Sequence, residues 1–129
     1  MRGFLVSSAV LVFAFVLAKS IVGASKEMTQ PLVRIAELEI EPMQIQAYKD
    51  ALKVEIATSI RNEPGVLNLY AVSVKDEPNQ VRIFEVYKGQ ADYESHLQTP
   101  HFKKYKTETQ GMVKSLKLIE TEPILLGTK

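Results

Sequence analysis

The sequence predicts an α+β fold whose elements follow the order β-α-β-β-α-β, the ferredoxin-like arrangement. Three observations predict it. Apolar residues recur at helical spacing over residues 45–60, alternating apolar stretches lie on both sides of that helix, and a cluster of turn-forming residues separates the second strand from the third. The chain has 129 residues, 46% hydrophobic and 24% charged, which is typical of one globular domain.

The first strand and the long helix are predicted from their periodicity. Residues 33–40 place apolar side chains on both faces of the strand, which is typical of a sheet covered on both sides. The helix is expected to begin at Glu41-Pro42 and to end near Asn62. Its apolar stripe consists of Ile45, Tyr48, Leu52, Ile56 and Ile60. The segment 61–65, which contains Glu63, Pro64 and Gly65, is interpreted as helix termination without a chemical role.

The second half of the chain supplies the remaining elements. They are a strand at 66–75, a turn at 76–79, a strand at 80–88, helices at 91–98 and 100–112, and a strand at 115–125. One face of the resulting sheet packs on the helices, yet the opposite face also carries apolar residues. Because the chain has no further helix to cover that face, we predict a homodimer formed through it.

The first 24 residues have the layout of a secretory signal peptide. A short basic start precedes an apolar run from Phe4 to Ala18, and small residues follow at 22–24. The run is shorter than the ~20 residues that span a bilayer. We therefore divide the chain into a signal peptide at 1–24, a linker at 25–32 and a domain at 33–125. The domain is expected to be exported, periplasmic or secreted, with membrane tethering by an uncleaved segment as the alternative.

Charge and composition exclude several classes of function. A formal net charge of +1, with no basic block beyond three lysines on one predicted helix, argues against nucleic-acid binding. The chain has no cysteine, which excludes disulfides, thiol catalysis and cysteine metal sites and suits an oxidising compartment.

The chemistry-bearing residues concentrate in residues 82–105, which contain both histidines of the chain. His96 is the first candidate for a general base, because histidine titrates near neutral pH; the alternative is a structural hydrogen bond to the neighbouring loop. His101 follows a proline at a helix start, where structural capping is the alternative to catalysis. A metal site made by the histidines with Glu85 is disfavoured, since they lack the spacing of a helical His-x-x-x-His pair.

An acid and several aromatic residues accompany the histidines. Glu85 lies between apolar neighbours, so it is either paired at an interface or placed in a pocket with a raised pKa. Tyr70 and Tyr87 each combine an apolar ring with a polar tip, and core packing is the alternative to substrate binding for both. Phe102 and Tyr105 share one face of a helix and are expected to line or close a cleft.

Three segments of the sequence resemble the antibiotic biosynthesis monooxygenase family, and its small quinol monooxygenase-like branch in particular. They are Arg-Asn-Glu-Pro-Gly at 61–65, Glu-Val-Tyr at 85–87 and His-Leu-Gln-Thr-Pro-His-Phe-Lys-Lys-Tyr at 96–105. The resemblance covers about residues 33–124. It implies a dimeric α+β barrel with one cleft per subunit, and oxygenation without metal, flavin or haem. The chain has no tryptophan, which disfavours the haem-degrading and anthrone-oxidising branches.

The resulting hypothesis is a cofactor-independent monooxygenase that oxidises a small aromatic quinol or phenol with O2. His96 would act as the base, while Tyr70, Glu85 and His101 would orient the substrate. One alternative is an isomerase or lyase of a small polar metabolite that uses the same groups. Another is a non-catalytic dimeric module that binds an aromatic ligand. A pocket lined by aromatic rings would favour the oxygenase, and one lined by arginines the isomerase.

Overall fold

The computed structural model describes residues 30–129, and these residues form the predicted ferredoxin-like fold. In chain order the elements are β1 (Leu32–Ile40), a 3₁₀ turn (Pro42–Gln44), α1 (Ile45–Asn62), β2 (Val66–Val74), β3 (Glu77–Tyr87), α2 (Gln90–Gln98), α3 (Pro100–Thr109) and β4 (Val113–Glu120). The four strands form one antiparallel sheet in the order β2-β3-β1-β4. The predicted signal peptide lies outside the described residues and stays a prediction.

Two of the expected strand boundaries, the start of β3 and the end of β4, were wrong, and a proline residue lies near each of them. The β2–β3 turn is confined to residues 75 and 76, and Pro78 lies within β3 rather than in a turn. This is permitted because β1 begins to pair with β3 only at Gln80, so the proline nitrogen faces no strand on that side. At the other end of the chain, β4 stops at Glu120 and does not continue past Pro123 to residue 125.

The core lies between the helices and one face of the sheet. It is a cluster of buried residues that includes Leu38 and Ile40 from β1, Leu52 from α1 and Val81 and Ile83 from β3. The opposite face of the sheet also carries apolar side chains, among them Tyr70, Val72 and Phe84, which are exposed. The prediction of an apolar open face is therefore confirmed at the level of the single chain.

Proline and threonine residues fix the ends of the helices that carry the histidines. Glu63 follows α1 and has an extended backbone, as expected for a residue that precedes proline. Thr99 ends α2 and caps α3, where its Oγ1 accepts a hydrogen bond from the Phe102 amide at 3.3 Å. Glu63 thus lies at the end of α1, His96 in the last turn of α2 and His101 in the first turn of α3, and their side chains meet. None of the helices in residues 30–129 is long and apolar enough to cross a membrane.

Candidate active site

A cavity of about 540 Å³ lies between the sheet and the helices. Its buried end is polar and is formed by Glu55 of α1, Glu85 and Tyr87 of β3 and His96 of α2. Its open end reaches β4. The rim there consists of Lys106, Gln110, Lys114, Leu116 and Leu118. The cavity therefore offers a closed polar end and an exposed entrance that combines lysine, glutamine and leucine side chains.

The Glu63 carboxylate joins the two histidines behind this cavity. His96 Nδ1 lies 3.0 Å from Glu63 Oε2 and 3.2 Å from Oε1, and His101 Nε2 lies 2.6 Å from the same Oε2. Burial alone would raise the pKa of Glu63, but the hydrogen bonds from His101 and His96 outweigh it and hold the pKa below its ordinary value. Glu63 is therefore an ionised acceptor shared by two imidazoles.

This arrangement decides which nitrogen of His96 faces the cavity. Because an ionised carboxylate can only accept hydrogen bonds, His96 Nδ1 must carry the proton that it shares with Glu63. A neutral His96 then has its lone pair on Nε2. That nitrogen lies 3.5 Å from Glu55 Oε1, on the cavity side, since Glu55 lines the cavity and Glu63 does not. The site therefore presents a proton acceptor to the cavity and holds its orientation from behind.

Glu55 is buried on the same stripe of α1 as the core residues Tyr48 and Leu52. Its Oε1 accepts a hydrogen bond of 2.7 Å from Ser59 Oγ, one turn further along the helix. Burial raises the pKa of Glu55 above its ordinary value, although Ser59 and His96 oppose the rise. This carboxyl group is thus poised to exchange a proton inside the cavity.

Glu85 supplies the second carboxyl group of the cavity from β3. The Tyr87 hydroxyl donates a hydrogen bond of 3.3 Å to Glu85 Oε2. Burial raises the pKa of Glu85, and the nearby His96 and this hydrogen bond only partly offset it. Burial and Glu85 together raise the pKa of Tyr87 far above its ordinary value, so Tyr87 stays a hydrogen-bond donor at any physiological pH.

Aromatic rings surround His96 and continue along the cavity wall. The ring centroids of Phe102 and Tyr87 lie 4.9 and 5.4 Å from that of His96. Further along, the hydroxyl of Tyr105 lies 2.7 Å from the hydroxyl of Tyr48, in the core. The rings of Tyr87, Phe102 and Tyr105 make part of the cavity wall apolar and offer flat surfaces to a ligand.

The structure brings five of the seven predicted site residues to the cavity wall. They are Glu85, Tyr87, His96, Phe102 and Tyr105. His101 lies behind the wall and reaches the site through Glu63. Tyr70 is not brought to this cavity: Leu69 faces the core, so alternation along β2 turns Tyr70 to the open face of the sheet, where its side chain is 63% exposed.

Two functional candidates, Glu55 and Glu63, were missed by reasoning from the sequence. Glu55 follows Leu52 by three residues, so a polar residue on the apolar stripe was a visible signal. Ile60, which was placed on that stripe, is instead 48% exposed, because the buried face passes through Ser59. Nothing in the sequence marked Glu63 as more than a helix-ending residue, since its histidine partners are more than 30 positions away.

The same cluster also groups ligands of the kind that hold a metal ion. Among residues 30–129, Glu55, His96 and His101 bring one ligand atom each to within 4.8 Å of one another. The acid in this set comes from α1, whereas the metal site considered, and disfavoured, from the sequence combined the histidines with Glu85.

Comparison with known proteins finds family and structural matches. The sequence model of the family named antibiotic biosynthesis monooxygenase matches residues 31–108. A crystal structure from Bacteroides thetaiotaomicron that carries the same family name is 48% identical, with a TM-score of 0.75, and the match covers 78% of this chain and 95% of that one. A comparison with curated protein sequences finds no match.

Two further structures show how the fold recurs. A protein from Lactobacillus acidophilus named as a monooxygenase is 34% identical, with a TM-score of 0.68; the match covers 69% of this chain but only 42% of that longer one. A Nitrosomonas europaea protein, again named for antibiotic biosynthesis monooxygenases, has a TM-score of 0.70 over 74% of this chain and 92% of that one. At 22% identity it supports the fold alone. None of these names specifies a substrate.

Proposed function

Because the chain belongs to the antibiotic biosynthesis monooxygenase family, we propose that it is a cofactor-independent monooxygenase of a small aromatic quinol or phenol. The observation that carries the proposal is the Glu63–His96 pair beside the cavity. Glu63 holds His96 Nδ1 protonated and leaves Nε2 as an acceptor towards the cavity. A base in that position can take the proton of a phenolic hydroxyl group.

The reaction then needs only an electron-rich substrate and O2. His96 Nε2 accepts the phenolic proton, and the phenolate transfers an electron to O2 to give a substrate radical and superoxide. Their combination forms a carbon–oxygen bond, and the peroxide O–O bond breaks with loss of water. For a quinol, one oxygen atom of O2 stays bonded to a ring carbon and the other leaves as water. The substrate loses four electrons in all, which O2 accepts, and the proton held by His96 returns in that water.

The remaining cavity residues support this reaction through orientation and exclusion of water. Tyr87 holds Glu85 in place through its hydrogen bond, and Glu85 or Glu55, when protonated, can donate to a phenolate or peroxide oxygen. Phe102 and Tyr105 offer ring faces to a planar substrate. Burial of this end of the cavity keeps water away from the radical pair.

The aromatic residues of the cavity wall favour the oxygenase hypothesis over the isomerase or lyase alternative. Within residues 30–129 the cavity wall contains four aromatic rings, from Tyr87, Tyr93, Phe102 and Tyr105, and no arginine. The guanidinium of Arg34 lies 4.4 Å from the centroid of the Tyr93 ring, and Arg34 is not among the residues that line the cavity. In the described part of the chain, a phosphorylated or polyanionic metabolite would find no cation at the buried end, because the lysines of the wall, Lys106 and Lys114, lie at the rim.

We also propose that the protein acts as a homodimer formed through the open face of the sheet. The apolar row of Ile35, Tyr70, Phe84 and Ile119 runs across all four strands of that face. Exposed rows of this kind are commonly buried by a partner. A second copy of the chain offers the same row and is the simplest complementary surface.

O2 consumption tests the proposed activity directly. Purified protein treated with a chelator would be supplied with a panel of hydroquinones and naphthoquinols, beside His96→Ala and a control, Ser95→Ala, on the exposed side of the same helix. We expect uptake above autoxidation that falls at least about tenfold in His96→Ala. The control should keep the full rate. Uptake equal to autoxidation over the whole panel would refute the quinol hypothesis.

A further inference from the structure

We propose that Glu55, His96 and His101 form a binding site for a divalent transition-metal ion such as Zn²⁺, and that the bound ion competes with the substrate for His96. The three side chains come from α1, α2 and α3, so the fold, rather than a local sequence motif, builds the site. A carboxylate with two imidazoles is a ligand set that suits zinc and its neighbours in the first transition row.

The distances fit an ion of this type. Ligand atoms bound to one zinc at about 2.0–2.2 Å lie roughly 3–4 Å apart. Glu55 Oε1 and His96 Nε2 are already 3.5 Å apart, and one ligand atom from each of the three residues falls within 4.8 Å of the other two. Small side-chain rotations therefore suffice to close the site around an ion.

The groups behind the ligands are those that support metal-bound histidines and carboxylates elsewhere. A metal-bound imidazole usually donates its other N–H to a carboxylate, and Glu63 accepts such a bond from His96 Nδ1 at 3.0 Å. The ligating carboxylate is held in the same way, because Ser59 Oγ donates to Glu55 Oε1 at 2.7 Å. His96 and Glu55 are thus oriented before an ion arrives.

The charge of the cluster also favours a dication. Glu55 and Glu63 place two acidic groups in one largely buried cluster, and within residues 30–129 their ion pairs are formed with histidines alone. With neutral histidines the cluster carries up to two uncompensated negative charges. A divalent ion neutralises them without a lysine or arginine, and His101, whose side chain is 17% exposed, leaves a path from solvent.

The consequence for the site rests on the proposed function. A zinc ion bound to His96 Nε2 occupies the lone pair that would accept the phenolic proton. It also fills the space beside Glu55 at the buried end of the cavity. Zinc should therefore suppress oxygen uptake, so that metal binding switches the base off.

A titration with Zn²⁺ alone tests the site without any substrate. The purified full chain, freed of metal with a chelator, would be titrated with ZnCl₂ by calorimetry and, in parallel, by NMR of ¹⁵N-labelled histidine side chains. The chain contains two histidines and no cysteine, so every imidazole signal belongs to this site. We expect one ion per chain with a Kd of about 1 μM or lower, with signals of both histidines shifting together.

Variants separate the ligand set from neighbouring acids. Glu55→Gln and His101→Gln should each weaken zinc binding at least about tenfold, and Glu63→Gln about 10- to 100-fold through the loss of orientation. Glu85→Gln, a cavity carboxyl group outside the ligand set, should change the affinity less than about twofold. Mg²⁺, which prefers oxygen ligands, should not bind at this site.

Three results would overturn the proposal. The first is the absence of binding at a zinc concentration about 100-fold above the expected Kd. The second is binding that leaves the imidazole signals of the native protein unshifted. The third is a zinc affinity that depends on Glu85 as strongly as on Glu55. The native-protein spectra decide the matter even where a variant fails to fold. Because the titration needs no substrate, a failure of the oxygenase proposal leaves its result unchanged, and zinc that fails to bind leaves the oxygenase test intact.

Discussion

Replacing Glu63 with glutamine should destabilise the protein strongly, whereas the same replacement at Glu85 should not. Glu63 accepts hydrogen bonds from two imidazoles, at 3.0 Å from His96 and 2.6 Å from His101. A hydrogen bond to a charged partner contributes about 1.5–3 kcal/mol. Glutamine keeps the shape and can restore about 1 kcal/mol through neutral hydrogen bonds. The two bonds together contribute about 3–6 kcal/mol, so the free energy of unfolding of Glu63→Gln should fall by about 2–5 kcal/mol at pH 7.

The effect of pH on this loss follows from the sign of the pKa shift. The folded-state pKa of Glu63 lies below its ordinary value, so the ionised carboxylate stabilises the fold above that ordinary value. The stabilisation is lost as the pH falls through the folded-state pKa. The difference between native protein and Glu63→Gln should thus be constant near neutral pH and should narrow below about pH 4.

Glu85→Gln is the matched control, because its pKa shift has the opposite sign. Burial raises the pKa of Glu85, so its ionised form opposes folding as the pH rises. Glutamine removes that charge and can still accept the Tyr87 hydrogen bond. The variant should be as stable as the native protein at pH 7, or more stable.

Urea unfolding followed by circular dichroism, with a chelator present, measures all three proteins at pH 7, 5 and 4. The predicted loss for Glu63→Gln corresponds to a fall in Tm of about 10–20 °C for a domain of this size. A loss below about 0.5 kcal/mol at pH 7, no larger than that of a typical surface substitution, would refute the assignment of Glu63 as a shared ionised acceptor. Equal losses for Glu63→Gln and Glu85→Gln would show that burial, and not the histidine bonds, dominates at both positions.

Three further predictions concern the cap, the core and the open face. Thr99→Ala removes the cap of α3 and should cost about 1 kcal/mol in urea unfolding, with Thr99→Ser restoring most of it. Tyr48→Phe removes the buried 2.7 Å hydroxyl pair and should also cost about 1 kcal/mol, and a gain in stability would contradict this account of the pair. Phe84→Lys places a charge on the open face and should convert the proposed dimer to a folded monomer, as measured by light scattering. The control is Val54→Lys, which replaces an exposed apolar residue of α1 and should remain dimeric.

Much of the fold could be predicted because it depends on local periodicity. The stripe through Tyr48 and Leu52 and the alternation of β1 and β3 are visible within about ten residues each. The boundaries that were wrong depend on pairing between strands. Pro78 can lie in β3 only because β1 ends before it reaches that position, and no property of residues 76–79 reveals the length of β1. Local rules therefore predicted the elements and the ends of α1 and α2, but not the boundaries of β3 and β4.

The candidate site could be predicted only in part, for a similar reason. The stretch that contains His96 and His101 was recognisable because both histidines and several aromatic residues lie close together in sequence. Tyr70 was placed wrongly with respect to the cavity, since a strand with apolar residues on both faces does not reveal which face meets the helices. Glu63 becomes functional only through contacts with α2 and α3, more than 30 residues away.

The position of Glu55 argues for chemistry over stability. It lies on the buried stripe of α1 between Leu52 and Ser59, where an apolar side chain of similar size would avoid the cost of burying a carboxyl group. Burial raises its pKa, and one hydrogen bond from Ser59 does not cancel the rise. Stability alone therefore does not explain a buried carboxyl group at position 55 beside His96. Its presence there, at the closed end of the cavity and 3.5 Å from His96 Nε2, is explained if the protein moves a proton, or holds a cation, at that point.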